Sequence, residues 1–253
     1  MAHIPRKRFG QNFLQDQAII HKIIECINPQ KDIKIVEIGP GLAALTEPLI
    51  NKVGHIDVVE LDRDIITHLT KKFTAEQITI HNGDALKADF SFNNTPIRVV
   101  GNLPYNISTP ILFYLSQFSN IKNMVFMLQK EVVERICAKP NSSDYGKLTI
   151  MLQYKFKCRY LLDVPPESFY PAPKVDSAIV SLTPRTDYDF SQVNEEQLNI
   201  VVSKAFNQRR KTISNSLKGL ITTEQLTNIG IDLKSRAENV TIEQYIQLSN
   251  CIK

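Results

Sequence analysis

The stretch Asn102-Leu103-Pro104-Tyr105 combines groups that could hold a single aromatic amine. Pro104 lacks an N–H and biases Leu103 toward an extended backbone, which predicts that the Leu103 carbonyl points out of the fold as a free acceptor. The side-chain carbonyl of Asn102 is a second acceptor, and an –NH2 group has two hydrogens to donate. The ring of Tyr105 offers a flat face for a planar base, a stacking contact worth about 1–3 kcal/mol.

This arrangement favours activation of a weak nucleophile. The lone pair of an aromatic amine is delocalised into its ring, and two oxygens that hold both hydrogens tetrahedrally would localise that pair toward an electrophilic methyl group. The same oxygens would stabilise the positive charge that develops on nitrogen, so no strong general base is required. A proline turn before a helix N-cap at Ser108 is the simpler alternative, but it explains neither Asn102 nor Tyr105.

Glycines and acidic residues end three earlier β-type runs of the sequence. Gly39 and Gly41 end the first run and let a ligand approach the backbone closely. Glu60 ends the second and can accept hydrogen bonds from both hydroxyls of a ribose. Asp84 ends the third and can accept one from the exocyclic amine of adenine. Together they predict a site for an adenosine without phosphates, as in S-adenosylmethionine, whereas helix capping is the alternative role of the two carboxylates.

A dinucleotide is the alternative ligand for the glycine loop. Gly39 and Gly41 start a GxGxxG pattern whose third position is Ala44, a residue that the pattern tolerates. Pro40 removes one of the amides that a pyrophosphate would need, and this makes NAD the less favoured ligand.

A parallel sheet would bring these strand ends together. Five β-rich runs alternate with helical patterns, which predicts an α/β fold with helices on both faces of the sheet and ligands beyond its C-terminal strand ends. The predicted strands are IKIVEIG, HIDVVELD, QITIHNGDA, IRVVGN and NMVFMLQ. The predicted helices span residues 15–27, 42–50, 62–73, 108–118 and 130–138. Two further runs, RYLLDV and DSAIVSLTP, are compatible with an antiparallel pair that closes one sheet edge.

The last quarter of the chain has a different character. A polar segment follows Pro184, and from about Gln197 the apolar spacing is helical, with Gly230 as a helix stop. We therefore expect a first domain over residues 1–186 and a small all-α domain over residues 187–253.

Composition and charge narrow the class of protein. Of the 253 residues, 43% are hydrophobic and 22% are charged, as in ordinary globular proteins. No apolar run approaches the roughly 20 residues of a membrane span, and no apolar stretch follows the basic N-terminus, so a cytoplasmic protein without a membrane partner is expected. The four cysteines and five histidines are scattered, which predicts no metal site.

Basic residues are clustered in two places, although the net charge is only +4. Such clusters suit contacts with the phosphates of a nucleic acid, and a solvated helix face is the alternative. The residues concerned are Arg6, Lys7 and Arg8 at the N-terminus, and Lys204, Arg209, Arg210, Lys211 and Lys218 in a segment without acidic residues.

Several long motifs make the chain resemble the ribosomal RNA adenine N6,N6-dimethyltransferases, and among them the bacterial small-subunit branch. The motifs run from Arg6 to Leu217 and cover most of the chain. They are RKRFGQNFL, VEIGPGLAALTEPL, VVELD, GDAL, GNLPYNISTPILF, MLQKEVVERI, YGKLTIMLQY, FYPAPKVDSAIV and NQRRKTISNSL.

The resemblance implies a Rossmann-like class I methyltransferase sheet of seven strands, the last antiparallel, with a helical C-terminal domain. It implies S-adenosylmethionine as the cofactor, with contacts from Asn12, Leu14, Gly39, Glu60, Asp84 and Asn102. Asn102, Leu103 and Tyr105 fall on the family's target-base motif. Phe169 falls on the aromatic position of an F-x-P-x-P-x-V-x-S motif, which the family places against the flipped adenine.

The implied substrate is a pair of adjacent adenosines in the 3′-terminal hairpin of 16S rRNA, within an immature small ribosomal subunit, each receiving two methyl groups. Tyr105 and Phe169 could stack on the two sides of an unstacked adenine, and the basic cluster would hold the RNA backbone. We expect a monomer. Two alternatives remain: the antibiotic-resistance branch, which modifies one adenine of large-subunit rRNA, and a protein that acts mainly as an assembly factor.

Overall fold

The structure is a computed structural model that describes residues 12–104, 107–187 and 193–252. Their backbone contacts divide them into two units. The first unit contains the described residues up to Val133 together with Arg159–Pro184. The second contains Glu134–Cys158 and the described residues from Arg185 onward.

The strands and helices alternate through most of the chain. The strands are β1 (Phe13–Leu14), β2 (Lys34–Ile38), β3 (Ile56–Glu60), β4 (Ile78–Asn82), β5 (Ile97–Asn102), β6 (Ile121–Gln129), β7 (Phe156–Val164), β8 (Phe169–Tyr170) and β9 (Ser177–Pro184). The α-helices are α1 (Gln17–Ile27), α2 (Thr46–Val53), α3 (Arg63–Lys72), α4 (Ser108–Leu115), α5 (Lys130–Cys137), α6 (Lys147–Gln153), α7 (Glu195–Phe206), α8 (Ile213–Ser216), α9 (Thr223–Asn228) and α10 (Ile242–Ser249).

Seven strands form one mixed sheet in the order β4-β3-β2-β5-β6-β9-β7. The pairs β2–β3, β3–β4, β2–β5 and β5–β6 are parallel, and β9 runs antiparallel to β6. The predicted sheet of five parallel strands with antiparallel β-structure at one edge is thus confirmed. The chain order reverses direction between β2 and β5, and the carboxyl ends of strands at such a switch point diverge to leave a crevice.

The buried runs of the central strands explain why they lie in the middle of the sheet. Val36, Val58, Val99 and Val100 are completely buried, as expected for strands that are covered on both faces.

Among the described residues, no helix is long and apolar enough to span a membrane.

The predicted helix over residues 42–50 starts later than expected, at Thr46. Gly41 has φ +53° and Ala43 has φ +72°, and these left-handed conformations interrupt a right-handed helix before it can begin. The residues after Gly41 therefore form a turn. The first helical amides lie several residues beyond the glycine loop, which is unlike the loop-to-helix junction that binds a pyrophosphate.

Two features were absent from the sequence-based prediction. Helix α6 was not expected, and neither was the two-stranded sheet of β1 and β8, in which Phe13 is opposite Tyr170 and Leu14 is opposite Phe169. Strands of two residues are too short to show a period. Their pairing joins segments more than 150 residues apart, as these residue numbers show, and local sequence cannot predict such a pairing.

The two compact units differ from the expected domains in one segment. The units part at Pro184, close to the expected boundary, but residues 134–158 belong to the second unit rather than the first. The fully buried Tyr145 donates its hydroxyl hydrogen to the Val240 carbonyl at 3.0 Å. Arg209 likewise donates to the Ser143 carbonyl at 2.8 Å. These contacts bind the segment to the C-terminal helices.

Gly101 allows the closest approach between β5 and β2. A Cβ at this position would lie 2.5 Å from the Ile38 carbonyl oxygen. We expect Gly101→Ala to lower the free energy of unfolding by about 1–3 kcal/mol, because the strands must separate to accept a methyl group. Gly83→Ala is the control, since its Cβ would meet nothing within 4 Å. Urea titrations would contradict this prediction if both variants unfolded at the same midpoint.

Candidate active site

A cavity of about 430 Å³ opens at the carboxyl ends of β2, β3, β4 and β5. Most of the residues that the sequence singled out line it. They are Asn12, Leu14, Gly39, Gly41, Glu60, Asp84, Asn102, Leu103, Pro104 and Phe169. Tyr105 and the N-terminal Arg6, Lys7 and Arg8 lie outside the described residues. The fold thus brings together groups from six separate segments of the first unit.

The glycine loop forms one side of this cavity. Gly39 and Gly41 have φ values of +66° and +53°, which glycine adopts without the steric cost that a side chain would add. The Gly39 amide donates to the Val59 carbonyl at 3.0 Å. A Cβ at Gly39 would lie 3.9 Å from the Asn102 carbonyl oxygen, so the loop passes directly beside the end of β5.

Glu60 and Asp84 both hold their own loops through backbone amides. Oε1 of Glu60 accepts hydrogen bonds from the amides of Leu61 and Asp62, each at 2.7 Å. Oδ1 of Asp84 accepts one from the amide of Leu86 at 3.0 Å. One oxygen of each carboxylate therefore holds the turn that follows its strand, but neither residue is the N-cap of an α-helix, since the N-cap of α3 is Asp62. Oδ2 of Asp84 has no hydrogen-bond partner among the described residues, and burial raises the pKa of Glu60.

Asp62 lines the same cavity but was missed by the sequence analysis. Its Oδ1 caps α3 by accepting from the Asp64 amide at 2.9 Å. Its Oδ2 is buried and has no hydrogen-bond partner among the described residues, and an unpaired buried oxygen of this kind calls for a ligand or water. An acidic residue two positions beyond Glu60 was the signal in the sequence that could have identified it.

Glu37 is a second acidic residue that the sequence analysis did not select. It lines the cavity near the end of β2 and is only 1% exposed. Its Oε2 accepts a hydrogen bond from the Thr46 hydroxyl at 2.7 Å. Burial raises the pKa of this carboxyl to about 7, because a charge is poorly solvated there. A carboxylate inside an otherwise apolar strand was the available signal.

The small β1–β8 sheet supplies another part of the cavity wall. It places Leu14 beside Phe169, and both side chains are buried. The amides of Gln15 and Asp16 donate to the Ser168 carbonyl at 2.8 and 3.3 Å, which extends the pairing beyond the two strands. The QNFL and FYPAP motifs, distant in sequence, thereby form one side of the cavity.

The end of β5 presents two oxygen atoms that can accept hydrogen bonds. The Asn102 side chain donates from Nδ2 to the Asn12 carbonyl at 3.4 Å, an orientation that leaves its Oδ1 as an acceptor. The Leu103 amide donates to the Met127 carbonyl at 3.2 Å, and its side chain is buried. No described residue donates a hydrogen bond to the Leu103 carbonyl.

The titratable side chains around the cavity all have the same sign. Among the described residues that line it, these side chains are the four acids Glu37, Glu60, Asp62 and Asp84. Such a lining suits a ligand that carries positive charge. The described residues contain no group of three His, Cys, Asp or Glu side chains that could hold a metal ion.

A second cavity, of about 620 Å³, lies beside α1 and α2 and shares Phe13, Leu14, Leu42 and Ala44 with the first. Its acidic Glu47 is already paired with Lys72 at 2.7 Å. None of the strand-end acids lines it, and it therefore lacks the convergent acceptors of the first cavity.

In the second unit, the basic cluster divides into two kinds of residue. Arg209 donates to the carbonyls of Ser143 and Tyr145, at 2.8 and 3.3 Å, and is occupied in holding residues 134–158. Arg210, Lys211 and Lys218 are exposed, and Lys204 is partly exposed.

A family model described as "Ribosomal RNA adenine dimethylase" matches residues 2–253. The "Ribosomal RNA small subunit methyltransferase A" of Chromobacterium violaceum is 52% identical over 250 residues, which cover 98% of this chain and 95% of that protein. The protein of the same name from Legionella pneumophila (strain Corby) is 51% identical over 254 residues, covering 100% and 99%.

Solved structures of similar fold include a dimethyladenosine transferase from Plasmodium falciparum. It has a TM-score of 0.81 and 25% identity, and the match covers 93% of this chain and 95% of that one. The 23S rRNA methyltransferase ErmE has a TM-score of 0.76 and 26% identity, covering 95% and 99%.

The buried carboxyl of Glu37 predicts a pH-dependent stability. Its pKa is 4.5 in the absence of the fold and about 7 in the folded protein. Between these values the folded state keeps a proton that the unfolded chain releases, so stability falls as pH rises and the loss is complete above the folded pKa. We expect Glu37→Gln to match the wild type near pH 4.5 and to be about 1–3 kcal/mol more stable near pH 8. Urea titrations across this range would contradict the role of Glu37 if the difference did not change with pH.

Proposed function

We propose, because the chain belongs to the ribosomal RNA adenine dimethylase family, that it dimethylates N6 of two adjacent adenosines in the 3′-terminal hairpin of 16S rRNA, with S-adenosylmethionine as methyl donor. The observation that supports the proposal is that Asn102 and Leu103 line a cavity with four acidic side chains, while no described residue donates a hydrogen bond to Asn102 Oδ1 or to the Leu103 carbonyl. The acceptors suit the target amine, and the acids suit a cationic adenosine cofactor.

The acidic residues and the glycine loop fit that cofactor. Glu60 and the unpaired Oδ2 of Asp62 are placed to accept hydrogen bonds from ribose hydroxyls, and Oδ2 of Asp84 to accept one from the adenine amine. Gly39 leaves room for close approach of a ligand to the backbone. Asn12 and Leu14, from another part of the wall, would cover it. When bound, S-adenosylmethionine supplies an electrophilic methyl group on a sulfonium.

The protein's own part in the reaction is to position and polarise the target amine. Asn102 Oδ1 and the Leu103 carbonyl would accept the two N6 hydrogens, which localises the nitrogen lone pair. Pro104 fixes the backbone that aims the Leu103 carbonyl. The same oxygens would stabilise the charge on nitrogen during transfer. The methylated amine then loses a proton to water, so the chain needs no strong base.

The RNA must deliver an unstacked adenine to this cavity. The ring of Phe169 lines the cavity and is available for stacking, which offsets the few kcal/mol that unstacking costs. Tyr105 would supply the other face. Of the basic cluster, Lys204, Arg210, Lys211 and Lys218 are the residues that we assign to the RNA backbone.

The setting of the reaction follows from its substrate. We propose that the protein acts in the cytoplasm on an immature small ribosomal subunit, and that it contributes to the biogenesis of that subunit. We propose that it acts as a monomer, because the described residues of a single chain already form the cavity. A role mainly as an assembly factor would not require the two acceptors, Asn102 Oδ1 and the Leu103 carbonyl, at the end of β5.

Methylation of one adenine in large-subunit rRNA is the second candidate function, favoured by the similarity to ErmE. The higher identity to small-subunit enzymes argues for the first.

Methyl mapping tests the choice of substrate. Small and large subunits from cells that lack this protein would be incubated with it and labelled cofactor, and the methyl groups located by mass spectrometry. We expect two dimethylated adenosines near the 3′ end of 16S rRNA. Label confined to large-subunit RNA would exclude the proposed substrate.

Asn102→Ala tests the role of the free acceptors. We expect methyl transfer to fall by about 100-fold to 1,000-fold, as when one donor or acceptor of a preorganised site is removed, while RNA and S-adenosylmethionine still bind measurably. Asn51→Ala, at an exposed position of α2, is the matched control. Rates measured under single-turnover conditions would refute this role if the Asn102 variant stayed within a few-fold of the control.

A further inference from the structure

Tyr170 is the most exposed of the large hydrophobic side chains in the described residues, at 63%. Its neighbour in the same loop, Val175, is 44% exposed. Single apolar side chains on a surface are common and need no explanation by themselves. The exposure of Tyr170 is of interest because of its position in the chain next to a residue that lines the cavity.

Tyr170 directly follows Phe169, the ring that lines the cavity. Successive side chains of a strand point to opposite faces. Phe169 is 5% exposed and faces inward, whereas Tyr170 faces solvent. The strand β8 is fixed by its pairing with β1, in which Tyr170 is opposite Phe13. The paired strand thus holds a buried residue that lines the cavity and, next to it in the chain, an exposed ring.

The residues after Tyr170 add a cation to this aromatic surface. Pro171 and Pro173 restrict the backbone of the loop. Lys174 is exposed and forms no ion pair with any described residue. Its Asp176 neighbour is also exposed, but the two are not paired. A flat ring together with a free ammonium group matches a nucleotide, whose base stacks and whose phosphate attracts a cation.

We propose that Tyr170 stacks on the nucleotide next to the adenosine that occupies the cavity, with Lys174 at the intervening phosphate. This inference rests on the proposed function. When one adenosine leaves the hairpin stack, its neighbour loses a stacking partner, and Tyr170 replaces that partner. With two adjacent target adenosines, the second target is such a neighbour. Tyr170 is therefore a positioning residue that favours paired targets.

The test uses kinetics on reconstituted small subunits whose 16S rRNA carries a synthetic 3′ fragment. In one substrate both adenosines are present, and in the other the position beside the target is abasic. We expect Tyr170→Ala to lower kcat/KM for the intact RNA by about 10-fold to 100-fold, mainly through KM, the range for loss of one base–aromatic stack. Tyr170→Phe and Tyr170→Trp should stay within about 2-fold of the wild type, because both keep a ring.

The abasic substrate separates stacking from a structural effect. We expect kcat/KM of the wild type to be lower on the abasic RNA than on the intact RNA by about the factor that Tyr170→Ala loses on the intact RNA. On the abasic RNA, Tyr170→Ala should be little slower than the wild type, since the substitution and the missing base remove the same interaction. The KM of Tyr170→Ala for S-adenosylmethionine and its unfolding temperature should equal those of the wild type. Leu161→Ala, a 36% exposed position on β7, is the control and should behave as wild type.

Two results would overturn the inference: full activity of Tyr170→Ala on the intact RNA, or losses that multiply between the variant and the abasic substrate. Failure of the proposed function is distinguishable, because the wild type would then place no methyl groups on the intact small-subunit RNA.

Discussion

The close parallel pairing of β2 and β5 is the constraint on which the rest of the site depends. Gly101 lies against Ile38 with no room for a side chain. The next residues of each strand, Gly39 and Asn102, therefore emerge side by side at the switch point of the sheet. The loop that we propose for the cofactor and the stretch that we propose for the target amine are adjacent for this reason. Group transfer needs such proximity more than it needs a reactive side chain.

The negative charge of the cavity also suits the proposed reaction. The titratable groups among the described cavity residues are acidic, and two of the four, Glu37 and Asp62, are buried. A buried carboxylate costs free energy in the absence of a counter-charge, which Glu37 shows by its raised pKa. The proposed cofactor carries a sulfonium, and the amine becomes positive as it reacts. The cavity thus tolerates unfavourable negative charge that both partners of the reaction would relieve.

In our proposal, the first unit performs the chemistry and the second contacts the RNA backbone. All residues of the cavity belong to the first unit. The second contains the basic cluster, but Arg209 shows that not every member of such a cluster is available to a ligand. Its guanidinium is held by two carbonyls of residues 134–158. A count of basic residues overstates the surface that can contact phosphates.

The sequence by itself determined the parallel strands, most of the helices and the residues that end each strand. These features depend on local periodicity and turn chemistry, and residues such as Glu60, Asp84 and Asn102 could be selected because a parallel sheet places its strand ends together. Only the tertiary structure decided the β1–β8 pairing, the raised pKa of Glu37, the unpaired oxygen of Asp62 and the assignment of residues 134–158 to the second unit. Each of these depends on burial or on a partner distant in sequence, and no local pattern encodes either.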